Sequence, residues 1–254
     1  MSAAASPAAA DPVRDARWAL LAGNFAIGCG VMVTAGVLND IVRSLQVSVA
    51  LGGQLIGAAA VVMAIGSPLL AALLSGWDRR RLLVLALLWF AAGHLLSAWA
   101  SSYSVLLPLR CLTMLGAAAF TPQAASAIAA LTPPAQRGQA ITFIFLGWSV
   151  ASVLGMPASA YIGETWGWPT AFVAIGLLSL VAAAGVWRAL PGGIRPPALL
   201  LADWRKLFTH PVLMAIVAVT ALSSAGQFTL FSYFAPYYSQ VLGASAAQIS
   251  LLFL

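Results

Sequence analysis

Residues 44–77 read SLQVSVALGGQLIGAAAVVMAIGSPLLAALLSGW, an uncharged run bounded by Arg43 and Asp78. An α-helix needs about 20 apolar residues to cross the roughly 30 Å hydrocarbon layer of a bilayer. This run is long enough, and it has companions on both sides. No charged residue stands between Arg17 and Asp40, between Arg81 and Arg110, or between Arg110 and Arg137. The same holds from Arg137 to Glu164, from Glu164 to Arg188 and from Lys206 onward. The chain therefore reads as all-α and polytopic, a multi-pass membrane protein whose nearest environment is the lipid bilayer.

Composition agrees. The chain is 62% hydrophobic and 7% charged, whereas a soluble domain carries about 25% charged residues. The net charge of +6 does not indicate a nucleic-acid partner, because the basic residues sit in short loops between spans and not on one face of a folded domain. Cys29 and Cys111 fall inside predicted spans and read as small apolar filler, without metal-ligand spacing. No metal and no cofactor is expected. Residues 1–17 read as a disordered tail rich in Ala, Ser and Pro. The first apolar run is of full span length and lacks a clear cleavage site, which argues against a cleaved signal peptide.

The spans are expected near 18–38, 48–75, 82–100, 105–131, 139–163, 167–188 and 211–236, with an eighth beginning near 247. The run from Gln248 to Leu254 is too short to cross. On this reading the chain stops inside a helix, as a fragment of a longer protein or a truncated gene product. With the N-terminus in the cytoplasm, Arg14, Arg17, Arg79, Arg80, Arg81, Arg137, Arg188, Arg195, Arg205 and Lys206 all lie inside, and the outer loops hold Arg43 alone. That asymmetry predicts an N-in orientation. The domains are then a six-span bundle over 18–188, an inter-bundle linker over 189–210 and the start of a second bundle over 211–254. The linker carries Pro191, Gly192, Gly193, Pro196 and Pro197, followed by an amphipathic Trp204-Arg205-Lys206-Leu207-Phe208 segment suited to a membrane surface.

Several local patterns carry chemistry. Asp78-Arg79-Arg80-Arg81 forms a tight basic turn after the second span, and it reads either as a positive-inside anchor or as a charged switch. Arg110 lies inside the fourth span, where a charge costs about 2.5–3.5 kcal/mol at the helix centre. It either snorkels to a surface or heads a polar stripe with Thr113, Ala117 and Thr121 that lines a wet cavity. In the fifth span Gly147, Ala151, Gly155, Ser159 and Gly163 stand at i,i+4 spacing, a ridge that lets another helix approach closely. Pro157 removes one backbone donor from the same span and bends it.

Together these elements resemble the major facilitator superfamily, and within it the twelve-span drug:proton antiporter branch with its sugar- and nucleoside-efflux relatives. The Asp78–Leu83 turn is similar to the family's basic loop between spans two and three. Arg110 with Gly116 is similar to its fourth-span arginine motif, and Gln136-Arg137-Gly138 to its loop between spans four and five. Gly147 through Gly163 resembles the antiporter motif of span five. Gly167-Trp168-Pro169-Thr170-Ala171-Phe172 and Tyr233-Phe234-Ala235-Pro236 also fit. In the basic loop the positions usually held by Gly and Asp carry Ala72 and Gly76, with the acid displaced to Asp78. In span one the position where many relatives carry an acid is Gly30.

The resemblance implies two inverted-repeat bundles, export of small molecules (drugs, sugars or nucleosides) by alternating access, and a location in the bacterial plasma (inner) membrane. The alternative is a fragment of such a transporter that does not transport by itself. The resemblance also implies proton coupling, for which Asp40 and His94 are the protonatable candidates. Asn24, Arg110, Thr113, Gln123 and Gln227 are candidate polar contacts in the pathway, or else bridges between helices. The basic turn is the expected conformational switch. Gly147, Ala151, Gly155, Pro157 and Gly163 are expected to present a packing face to span eight of the second bundle. An integral-membrane enzyme would need a cluster of nucleophile, base or metal ligands within the spans. The two histidines, His94 and His210, and the absence of a carboxylate in any span core offer none. Nothing in the sequence argues for an oligomer.

Overall fold

The computed structural model describes residues 12–196, 206, 208–245 and 248. Helices α1 (Pro12–Gly36), α2 (Leu38–Ser44), α3 (Val49–Leu73), α4 (Arg79–Ser97) and α5 (Tyr103–Leu131) come first. A 3₁₀ turn (Pro134–Gln136) leads into α6 (Arg137–Val150), a π turn (Ala151–Gly155) and α7 (Met156–Trp166), then α8 (Trp168–Ala189) and α9 (Pro211–Gln240). Among the described residues, seven helical segments are long and apolar enough to span a membrane.

The first seven expected spans are present, with bounds moved by a few residues. The first helix starts at Pro12, so the tail expected over 1–17 is helical from that point; residues 1–11 lie outside the described residues. Residues 197–205 and 207 of the linker expected over 189–210, and nearly all of the eighth span, also lie outside them. The sequence reading missed two features. The end of span one breaks at Val37 into the separate short helix α2, and span five is interrupted by the π turn.

Local chemistry explains the helix ends. Ser48 caps α3 by accepting the Leu51 N–H at 3.2 Å, and Asp78 caps α4 by accepting the Arg81 N–H at 3.1 Å. Gly167 adopts φ +83 between α7 and α8, a left-handed conformation that favours glycine. Pro157, with no N–H to offer Val153, stands two residues past the π turn, and the Met156 N–H reaches back five residues to the Ala151 carbonyl. Proline and π turns are known sources of helix irregularity.

Helix α1 is the central post of the bundle. In its apolar window 72% of residues are buried, against 17% for α3 and none for α9. It packs against α5, α6, α7 and α8. The core around it is filled by Phe90, Phe120, Phe172, Leu20 and Ile27, all fully buried.

Candidate functional site

Arg110 is fully buried in α5. Its Nη1 donates to the Gly30 carbonyl at 2.8 Å, and its Nη2 donates to the Val31 carbonyl at 2.8 Å. The guanidinium therefore clamps two successive carbonyls of α1, the planar two-pronged geometry that arginine supplies and lysine does not. Nη1 also lies 3.2 Å from His94 Nε2, and His94 Nδ1 lies 2.9 Å from the Phe90 carbonyl. One tautomer satisfies both nitrogens of a neutral imidazole. Nδ1–H donates to Phe90, and Nε2 accepts from Arg110. The imidazole is packed between Phe90 and Phe172, with ring centroids at 4.3 and 5.6 Å.

This node is sealed. Thr113 is buried, donates its hydroxyl to the Leu109 carbonyl at 2.6 Å and abuts Gly93. Ala117 is buried as well. Thr113 and Ala117 thus face the bundle interior, with α4 packed over Thr113 at Gly93, while Thr121 is half-buried. Asn24 is buried and donates to the Ile144 carbonyl at 3.1 Å, tying α1 to α6. Gln123 is buried within α5, and Gln227 is exposed on α9.

The span-five ridge also has a nearer partner than expected. Gly147 lies against the Leu21 carbonyl and the Phe25 amide. A Cβ on Gly28 would stand 2.8 Å from Ala151 Cβ, and one on Gly36 would stand 3.0 Å from the Met156 carbonyl oxygen. Gly155 meets Cys29, and Gly163 meets Val37. The ridge is met by span one of the same bundle, and span eight, the expected partner, lies outside the described residues. Small residues on both helices meet there.

A separate cavity of about 650 Å³ opens between α1, α3, α6 and α9. Its wall on α3 includes Gly53, Gly57, Ala60 and Met63; Val31 and Trp148 close one side, and Phe228, Ser224, Thr229 and Tyr233 face them from α9. Trp148 Nε1 is buried without a hydrogen-bond partner among the described residues. A buried indole N–H normally finds one. None of Arg110, Thr113, Asn24, Gln123, Gln227, His94 or Asp40 lines this cavity. The sequence reading missed its lining. The available signal was the small-residue stripe Gly53, Gly57, Ala60 and Ala64 on α3, at helical offsets of 4, 7 and 11.

The two ends of the bundle differ. At the basic end, Asp78 accepts the backbone N–H groups of Arg81 and Gly193. Burial pushes its pKa up, but those two hydrogen bonds and the charges of Arg81 and Arg195 outweigh burial and hold it below the ordinary value. Arg79 donates to the Leu74 carbonyl at 3.1 Å and the Trp77 carbonyl at 3.3 Å, and its own backbone N–H reaches Ile194 O at 3.0 Å. Arg80 stacks 4.0 Å above the Trp187 ring. At the opposite end, Asp40 accepts the Trp168 N–H at 2.6 Å and pairs with Arg43 at 2.9 Å. Its carboxylate caps the start of α8. Asn39 donates to Ser239 Oγ at 3.0 Å, joining α2 to α9. The other end of α9 stands apart, with residues 210–220 exposed except for half-buried Met214.

The family description "Major Facilitator Superfamily" matches residues 20–254. The chain belongs to the major facilitator superfamily. Its curated relatives in that family include a chloramphenicol resistance protein of Streptomyces lividans, 34% identical over 89% of this chain and 59% of that protein. The inner membrane transport protein YdhP of Escherichia coli (strain K12) is 30% identical over 92% of this chain and 60% of its own length. The chain thus spans about 60% of the length of these relatives. Among solved superfamily structures, a bacterial homolog of the human lysosomal transporter Spinster superposes with a TM-score of 0.79 at 19% identity, over 95% of this chain and 58% of that one. A D-xylose-proton symporter gives 0.68 at 17% identity, over 95% of this chain and 65% of its own.

Proposed function

We propose that the protein is the N-terminal part of a secondary exporter that moves lipophilic, aromatic small molecules out of the bacterial cell by alternating access. The observation that carries this reading is the lining of the 650 Å³ cavity. Trp148, Phe228, Tyr233, Met63 and Val31 present apolar and aromatic surface, and the polar groups among them are few and uncharged. Binding pockets for drug-sized ligands have that character, with a small number of polar groups to fix orientation. The unpaired indole N–H of Trp148 would donate to one acceptor on the cargo. A sugar would bring many hydroxyls to a wall with few partners for them, and each unmet group costs desolvation energy. The similarity to a chloramphenicol resistance protein supports the same cargo class.

The orientation in this reading is N-terminus inside, with the basic end at the cytoplasmic surface, as the distribution of arginines favours. Asn39 and Ser239 then close the outer end, and the gap beside the first half of α9 opens to the cytoplasm. The basic turn at Asp78–Arg81 is the element whose contacts with Gly193, Ile194 and Trp187 would change between states. Neither protonatable candidate is free in this arrangement: Asp40 places its carboxylate oxygens on Trp168 and Arg43, and His94 is closed in by Arg110, Phe90 and Phe172. A proton arriving at His94 Nε2 would face the Arg110 donors, and the guanidinium would have to leave its clamp on α1. Binding of that proton and release of α1 are thereby one event.

The test is drug accumulation in a host stripped of its own efflux pumps. Expression of the full-length protein should lower accumulation of chloramphenicol and of larger aromatic drugs, and leave labelled sugars and nucleosides unchanged. Trp148→Ala should weaken the drug effect while surface expression persists. Export of sugars with no effect on aromatic drugs would reverse the cargo assignment.

A further inference from the structure

The basic end holds a second cavity, of about 380 Å³, bounded by Asp78, Arg80, Arg81, Trp187, Gly193 and Arg195. We propose that this cavity binds a phosphate group, supplied by the headgroup of an anionic phospholipid. The proposal does not depend on the transport reading.

Charge is the first argument. Three guanidinium groups line the cavity, against one carboxylate. That carboxylate is occupied by the Arg81 and Gly193 amides. The described side-chain ion pairs, Arg14–Asp15 and Arg43–Asp40, lie elsewhere. Positive charge is therefore gathered here without a carboxylate at salt-bridge distance. Arginine forks match phosphate oxygens in pairs, which makes a phosphate the fitting counter-ion.

The site is also built in advance. Stacking on Trp187 at 4.0 Å fixes the plane of the Arg80 guanidinium, and such a cation–π contact restricts the side chain before any ligand arrives. Arg80 Nε is buried without a hydrogen-bond partner. Gly193, at φ +85, has nothing within 4 Å of where a Cβ would stand, so that edge of the cavity is open to an incoming group. Asp78 holds the Gly193 turn in place from the other side.

Depth selects the lipid as the source. Helix α4 begins at Arg79 and α8 ends at Ala189, so the cavity sits where the bundle leaves the apolar layer. Trp77 and Trp187, each about half exposed, flank it, and tryptophan is enriched at headgroup level. Basic pockets between spans at that level suit anionic headgroups.

The experiment uses purified protein in mixed micelles with equal amounts of phosphatidylglycerol and phosphatidylethanolamine, with retained lipid counted by native mass spectrometry. Phosphatidylglycerol should be retained at least fivefold over phosphatidylethanolamine. The preference should vanish in the Arg80→Gln/Arg195→Gln double variant and fall in the milder Trp187→Leu variant. It should survive Arg43→Gln, which removes an arginine at the opposite end. Equal retention of the two lipids, or a preference that survives in a folded double variant, overturns the proposal. A parallel arm adds inorganic phosphate to lipid-free protein. Stabilisation by millimolar phosphate, with phosphatidylglycerol displaced, would overturn the lipid source in favour of a soluble anion.

Discussion

Two stripes of small residues run along this bundle, and they do opposite things. Along span five, Gly147, Ala151, Gly155 and Gly163 are met at close range by span one. On α3, Gly53, Gly57, Ala60 and Ala64 form the wall of the large cavity, and a Cβ at Gly57 would touch nothing within 4 Å. The residue types and spacing are nearly the same. What differs is the element opposite. Across from the first stripe is the central helix, whose own glycines complete a backbone-to-backbone seam. Across from the second is α9, which comes close only near Tyr233, whose Oη would lie 2.7 Å from a Cβ on Gly53. A small-residue stripe promises that something can come near; it does not say whether that thing is a helix or a ligand.

The contrast can be broken by substitution. The largest effect is expected at the node behind the sealed stripe. Arg110→Ala in the full-length protein should reduce efflux to background while membrane insertion persists, and Arg110→Lys should fail too, since one ammonium cannot hold both α1 carbonyls and His94. Efflux by the lysine variant at the parent's rate would remove the clamp from the mechanism. Next comes Gly147→Val, which forces an isopropyl group against the Leu21 carbonyl and Phe25 amide of α1. Overpacking of this kind costs about 1–3 kcal/mol, read as a lower unfolding temperature in detergent; an unchanged melt would mean that the seam is looser than described. Gly57→Leu, on the open stripe, should alter stability by less than about 0.5 kcal/mol. It should nonetheless lower drug affinity about tenfold by filling the cavity, as measured by equilibrium binding. A loss of stability equal to that at Gly147 would erase the distinction between the two stripes.

The smallest effect concerns pH. Asp78 has a folded pKa below the ordinary carboxylate value, which is about 3.9 in an unfolded chain. Its stabilising contribution is therefore complete above that unfolded value and is lost as pH falls through the lower folded one. Between pH 6 and pH 3 the parent should lose slightly more thermal stability than Asp78→Asn. Equal losses would show that the Gly193 turn is held without the charge.

Much of this was legible in the sequence. The spans were, because the cost of burying charge in hydrocarbon leaves long uncharged gaps that need no partner to interpret. Arg110 was legible for the same reason, as a charge where none belongs. The lining of the cavity was not. Met63, Trp148 and Phe228 look like any other apolar residue of a span, and only the placement of α9 separates lining from lipid-facing surface. Asn24 and Asp40 show the converse. As polar residues they read as pathway candidates, yet Asn24 spends its amide on the Ile144 carbonyl and Asp40 caps α8.

The π turn in span five acts as a phase correction. A step of four residues overshoots one helical turn by about 40°, so a ridge at 147, 151, 155, 159 and 163 would wind about 160° around an ideal helix. Its ends would then face nearly opposite directions. One extra residue in a single turn gives back about 100° of that winding, and Gly147 and Gly163 both look toward span one. The missing proton on the Pro157 nitrogen thus acts as a clock adjustment, keeping a sequence written in fours in time with a helix that counts in 3.6.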